Sequence, residues 1–263
     1  MKKTINSYLA VIALSPLLLI TGCNRGNPQE HKAAGDTFLA AGNEAAAIEE
    51  YTIAVSLDPD YRDAYIARGK AHREALLLDR AVADYTQSLK IDSRDPEVLF
   101  ERATAYLHNR EYDKAISDYT SVIDYRQTSI DFQYRGFAYH HQKNLDRSIE
   151  DYNRALELDP KNDAVYLWRA RTWQDAKNLE KALADIDIYI ERAPESHPGY
   201  FTRGEIYLEQ KEYENAIADF TQTIELYPNS PVALRNRAEA YVALGDEDKA
   251  SADREQAASL EEE

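Results

Sequence analysis

AIADFTQTIELYP, running from Ala216 to Pro228, is one of six variants of the same phrase. The others are AIEEYTIAVSLDP from Ala47, AVADYTQSLKID from Ala81, AISDYTSVIDY from Ala115, SIEDYNRALELDP from Ser148 and ALADIDIYIERAP from Ala182, spaced by 34 residues with one step of 33. Apolar residues recur every third or fourth position in each, so each reads as an amphipathic helix. A fixed period of this size belongs to stacked architectures, in which a unit buries its apolar face only against its neighbours.

Ahead of each phrase, by about 15 to 17 residues, lies a second helical stretch with a small residue and an aromatic ring three positions on, as in Arg68-Gly69 to His72, Arg135-Gly136 to Tyr139 and Arg203-Gly204 to Tyr207. Two helices per unit make a hairpin. Position 8 of the unit is Gly35, Gly69, Ala103, Gly136, Ala170, Gly204 and Ala238, and position 20 is Ala47, Ala81, Ala115, Ser148, Ala182, Ala216 and Ala250. Helices approach closely only where side chains are this small. Position 24 is large instead: Tyr51, Tyr85, Tyr119, Tyr152, Ile186 and Phe220.

This register resembles the tetratricopeptide repeat, over residues 28–263. The resemblance implies an all-α, right-handed α-solenoid of seven helix-turn-helix hairpins, at 28–61, 62–95, 96–128, 129–162, 163–196, 197–230 and 231–263. Two departures stand out. The fifth unit places Ile186 where others carry a ring and Tyr189 where they carry something smaller, an exchange of volume; the shortened junction after the third, with Gln127 in place of Pro, is expected to alter the superhelix and to flex. In the seventh unit Ser251, Arg254 and Ala258 replace apolar residues, as expected of a polar end cap on a complete stack.

Six units carry Arg at position 7 and Asp at position 23, namely Arg68 and Asp84, Arg102 and Asp118, Arg135 and Asp151, Arg169 and Asp185, Arg203 and Asp219, and Arg237 and Asp253. In a hairpin turning near position 16 the two lie at similar height. The arginines could face a ligand anion, or each could be satisfied by its own aspartate; one-to-one pairing favours a structural ladder. The first unit has Ala34 and Glu50, losing both members together.

In known solenoids of this family the first helices line the concave face. By that resemblance Phe100, Leu107, Tyr134, Phe137, Leu167, Trp168, Phe201 and Leu208 make its middle apolar, a surface suited to an extended or helical segment of another protein. The competing reading tucks several of these side chains between helices. A family subgroup that clamps peptide carboxyl termini with Lys and Asn is not matched, because Ile66 and Lys70, then Phe100 and Thr104, occupy those places.

The chain opens MKKTINSYLAVIALSPLLLITGC, with Lys2 and Lys3 before an apolar stretch from Leu9 to Ile20. That stretch is shorter than the roughly 18 residues of a membrane-spanning helix, and Pro16 interrupts it, so residues 1–22 read as a secretory signal peptide. Leu19-Ile20-Thr21-Gly22-Cys23 resembles the bacterial lipobox, which implies lipidation of Cys23, the single cysteine, followed by a lead over 23–30. Asn24 in place of Asp implies, for a Gram-negative source, an outer-membrane anchor facing the periplasm.

Loss of residues 1–22 moves the net charge from −16 to −18, since two lysines and no acid leave, and this excludes nucleic acid as an expected partner. The sequence holds no CxxC, HExxH or Gly-rich phosphate loop, and the adjacent His140 and His141 point apart on a helix. No enzymatic activity, cofactor or metal is expected. The expected role is a membrane-anchored scaffold or adaptor for another envelope protein; a self-associating structural protein, a homo-oligomer, is the alternative.

Overall fold

The computed structural model describes residues 26–261. Residues 1–22 and Cys23, on which the signal and lipidation expectations fall, lie outside them. The described residues form fourteen helices: α1 (Pro28–Ala40), α2 (Glu44–Leu57), α3 (Arg62–Glu74), α4 (Leu78–Ile91), α5 (Pro96–His108), α6 (Tyr112–Tyr125), α7 (Ser129–His141), α8 (Leu145–Leu158), α9 (Asp163–Asp175), α10 (Leu179–Arg192), α11 (His197–Glu209), α12 (Tyr213–Leu226), α13 (Pro231–Ala243) and α14 (Glu247–Ser259). Each packs against the next in the chain, and each odd-numbered helix also touches the odd-numbered helix of the following hairpin, whereas even-numbered helices do not meet one another. The odd helices therefore crowd the inner, concave side of an all-α solenoid.

Local chemistry explains where the helices begin and turn. Asn27, Asn43, Asp95, Thr128, Asn144, Asn178, Ser230 and Asp246 accept hydrogen bonds from first-turn amides, and Pro28, Pro96, Pro198 and Pro231 occupy first-turn positions where a missing N–H costs nothing. Between the two helices of every hairpin, one residue at the same place in the unit turns left-handed: Gly42, Leu76, Arg110, Lys143, Lys177, Lys211 and Gly245, with φ from 59° to 80°.

Packing follows the alternation of small and large. A Cβ on Gly35, Gly69, Gly136 or Gly204 would fall 2.5–3.0 Å from the ring of Tyr51, Tyr85, Tyr152 or Phe220, each sixteen residues later in the same hairpin. These four rings are fully buried. In the fifth unit Ile186 fills the ring's place and Tyr189 swings toward the next hairpin, where a Cβ on Gly199 would lie 2.8 Å from its Cδ1. Two residues thus exchange volume and a third gives way.

The shortened junction carries its own lock. Thr128 and Asp131 cap α7 reciprocally, and fully buried Asp131 also takes a hydrogen bond from Arg126 Nε at 3.2 Å. Arg126 pairs in addition with Glu97 of α5 and lies over the Phe100 ring, 5.5 Å from its centroid. The place expected to flex is thus cross-linked by polar contacts. At the far end, α14 exposes Ser251, Arg254 and Ala258. Among the described residues no helix is long and apolar enough to cross a membrane.

Candidate functional site

The six arginines and six aspartates meet as forks within their own hairpins. Nε and Nη2 of Arg68, Arg102, Arg135, Arg169, Arg203 and Arg237 donate to the two carboxylate oxygens of Asp84, Asp118, Asp151, Asp185, Asp219 and Asp253 at 2.6–3.0 Å. The aspartates are buried, and the bond to aspartate pushes the guanidinium of Arg135, Arg203 and Arg237 above its usual value against the opposing effect of burial. A third contact was not read from the sequence. Nη1 of each arginine crosses to the preceding hairpin and donates to Thr52, Thr86, Thr120, Asn153, Asp187 or Thr221, at 2.7–3.2 Å.

That contact had a visible signal, because the residue after each position-24 side chain is Thr, Asn or Asp throughout the first six units. Each guanidinium thus closes its own hairpin and ties it to the one before. In the first unit a different pair does the work, His31 Nδ1 facing Glu50 Oε2 at 2.6 Å. With two of its three faces taken by protein oxygens, the ladder is poorly placed to seize a ligand anion.

The apolar residues of the odd helices form linked groups along the inner side. Phe100 meets Tyr119 and Tyr134 edge-on at 5.3 and 5.1 Å between centroids, and Phe137 meets Trp168 at 4.5 Å and 89°. Phe201 tilts against Phe220 at 5.9 Å, with Leu208 in the same cluster. Phe100, Tyr134, Phe137, Trp168, Phe201 and Leu208 are half-buried, each keeping part of its surface exposed. Leu107 and Leu167 need correcting: they are core residues, 7% and 9% exposed. Leu107 is enclosed in a cluster with Ala103, Ala115, Tyr119 and Ala138, and Leu167 in one with Ala170, Ala182, Ile186, Tyr189 and Ile206, which shuts both off from the groove.

His140 is buried and faces Thr172 Oγ1 at 2.9 Å, while exposed His141 stacks on Tyr112 at 5.6 Å. Among the described residues no three His, Cys, Asp or Glu side chains gather as metal ligands. What the inner side offers is contact area: aromatic faces, aliphatic edges and a few polar groups.

Stacked helical hairpins with a concave face of this kind define an α-solenoid of the class that presents an extended surface to other molecules. Two tetratricopeptide repeat family models match the chain, one over 32–96 and 66–127 and another over 132–162 and 197–230, together more than half of it. The chain belongs to the tetratricopeptide repeat proteins. No curated protein matches it significantly. Among solved structures, a tetratricopeptide repeat protein from Parabacteroides merdae is similar with a TM-score of 0.76 at 20% identity, covering 89% of this chain and 93% of that one. PilF of Pseudomonas aeruginosa follows with a TM-score of 0.62 at 19% identity, covering 77% and 93%. YrrB, described as having an unusual peptide-binding site, gives 0.56 at 18% identity over 70% and 95%. At these identities the likeness concerns the fold.

Proposed function

We propose that this protein is a lipid-anchored scaffold of the bacterial envelope that holds a segment of another protein against its concave face. The observation that carries the reading is the row of half-buried Phe100, Tyr134, Phe137, Trp168, Phe201 and Leu208 on successive odd helices, each still partly exposed to solvent. Large apolar side chains in an open row gain free energy when a partner covers them, and aromatic anchors of this kind dominate protein interfaces. The tetratricopeptide fold supports a protein-binding role, and the similar YrrB is described as having a peptide-binding site.

Anchoring rests on sequence alone. Lipidation of Cys23 after loss of residues 1–22 would hold the solenoid on a membrane through acyl chains, each buried methylene contributing about 0.8 kcal/mol. Since α1 begins at Pro28, the lead from Asn24 to Asn27 would reach about 14 Å when fully extended, so the first hairpin, and whatever it holds, would stay near that membrane. Asn24 supports the outer membrane in a Gram-negative source, with the solenoid in the periplasm.

The test is capture of partners from crosslinked envelope by the lipidated protein beside a Phe100→Glu, Phe137→Glu, Phe201→Glu variant of unchanged helix content. Loss of a specific envelope protein with the variant supports the groove; recovery of the same partners by both overturns it. A parallel sedimentation run separates self-association, which predicts loss of a dimer in place of loss of a second protein.

A further inference from the structure

The six ladder arginines are forked onto aspartates, and Arg73 and Arg235 pair with Glu101 and Glu261. Arg171, on α9, is different. Its guanidinium lies 5.1 Å from the centroid of the Trp168 ring, Nε donates to Thr202 Oγ1 at 3.2 Å, and no carboxylate within 4 Å closes an ion pair with it among the described residues. Stacking and the threonine contact fix the plane of the fork, while both terminal nitrogens keep their hydrogens unspent. A guanidinium held in this way presents two parallel N–H donors, the geometry that matches a carboxylate.

We propose that Arg171 forms a carboxylate-binding subsite within the concave groove, reading one carboxylate on an otherwise apolar protein segment whose neighbouring side chain packs on Trp168 and Phe137. This rests on the groove reading above. Half-burial makes the subsite selective: burial pulls the Arg171 pKa below its usual value, the reverse of the paired Arg135, Arg203 and Arg237. A ligand carboxylate would supply the missing partner.

Glu205, one hairpin on, is also half-buried, and its charge acts on Arg171 without forming a bridge. It serves as an internal competitor, present in the empty groove and displaced when a better-placed carboxylate arrives. The net charge of −18 left after loss of residues 1–22, two lysines fewer than the −16 of the full chain, repels strongly acidic partners at long range, which favours a ligand with a single carboxylate among apolar residues that gains its affinity at contact.

The experiment uses the mature chain with Trp173→Phe, so that Trp168 is the remaining tryptophan and its emission reports the subsite. Three probes are titrated: acetyl-Phe-Leu with a free carboxyl terminus, its carboxamide, and acetyl-Phe-Glu-amide. The expected result is a shift of Trp168 emission by a carboxylate probe at about tenfold lower concentration than by the carboxamide, the difference a charge-assisted bond makes. Whichever carboxylate probe is preferred identifies the terminus or a side chain as the source. Arg171→Gln should erase the preference, and Glu205→Gln should tighten the carboxylate probes several-fold. Equal response to all three probes, a preference that survives Arg171→Gln, or no response from any probe overturns the subsite. Equal response leaves the groove standing, whereas the groove itself falls only in the envelope capture.

Discussion

His140 illustrates how one buried side chain sets a pH limit. Thr172 Oγ1 donates to the Trp168 carbonyl at 2.8 Å, so it accepts from His140, whose Nδ1 carries the proton; Nε2 lies 3.8 Å from Asp175 Oδ2. Burial pulls the imidazole down to about 4, with Asp175 opposing and His141, Lys143 and Arg171 assisting. Since the unfolded chain takes up this proton near the usual 6.5 and the folded chain refuses it until about 4, folding stability falls as pH drops through that window. The loss amounts to at most about 3 kcal/mol. A His140→Gln variant, able to keep a donor to Thr172 without titrating, should lose less stability than wild type between pH 7 and 4.5 in urea unfolding; equal losses would remove His140 from the account. Gly69 makes a steric case at the same scale. An added Cβ meets Tyr85 Cε1 at 2.7 Å, and that ring is fully buried, so the ring or its neighbours must shift. Overpacking costs about 1–3 kcal/mol while replacing a helix-interior glycine returns about 1, so Gly69→Ala should lower the melting temperature in spite of its better helix propensity.

At the scale of the element, the hairpin turn shows a backbone demand that only two of seven units meet with glycine. Leu76 holds φ at 59° and is 80% exposed, so its side chain contributes almost no packing to offset the left-handed conformation. That conformation costs a non-glycine residue about 1–2 kcal/mol, part of which a glycine gives back in unfolded-chain entropy. Leu76→Gly should therefore raise stability by about 0.5–1 kcal/mol, read as a higher thermal midpoint with unchanged helix content; a drop would mean that the leucine packs on something in solution. Period and register made the helices, their pairing and the Arg–Asp heights legible in the sequence, because these depend on spacing along an axis. Sideways lean is what spacing does not encode. Leu107 and Leu167 share unit positions with half-buried Leu208 and Phe100, whose clusters also hold alanines, yet only Leu107 and Leu167 are closed off from solvent. The replacement of the ladder by His31 and Glu50 in the first hairpin, and the solitary state of Arg171, likewise depend on where side chains end up across the hairpin interface.

For the whole molecule, the third arm of each ladder arginine has a consequence that the within-hairpin fork does not. A solenoid is close to one-dimensional, so its cooperativity is set by the contacts between neighbouring units. Nη1 of Arg135 donates to Thr120 Oγ1 at 3.2 Å, and Thr120 in turn donates to the Ile116 carbonyl, which fixes its hydroxyl for the purpose. Nη1 of Arg68 makes the equivalent contact to Thr52 at the first junction. Thr120→Val and Thr52→Val delete the same bond, of about 1 kcal/mol, with little change of shape. Their effects should differ with location. Cutting the first junction frees a single hairpin, so amide exchange should quicken in α1 and α2 and stay unchanged elsewhere. Cutting the middle junction weakens the coupling between two half-solenoids, each able to lean on its remaining neighbours, so the urea transition should broaden and its slope fall. Hydrogen exchange and urea unfolding on the two variants decide the matter: identical transitions and identical exchange maps would show that apolar stacking alone carries the coupling, and that the ladder holds hairpins together without holding the stack.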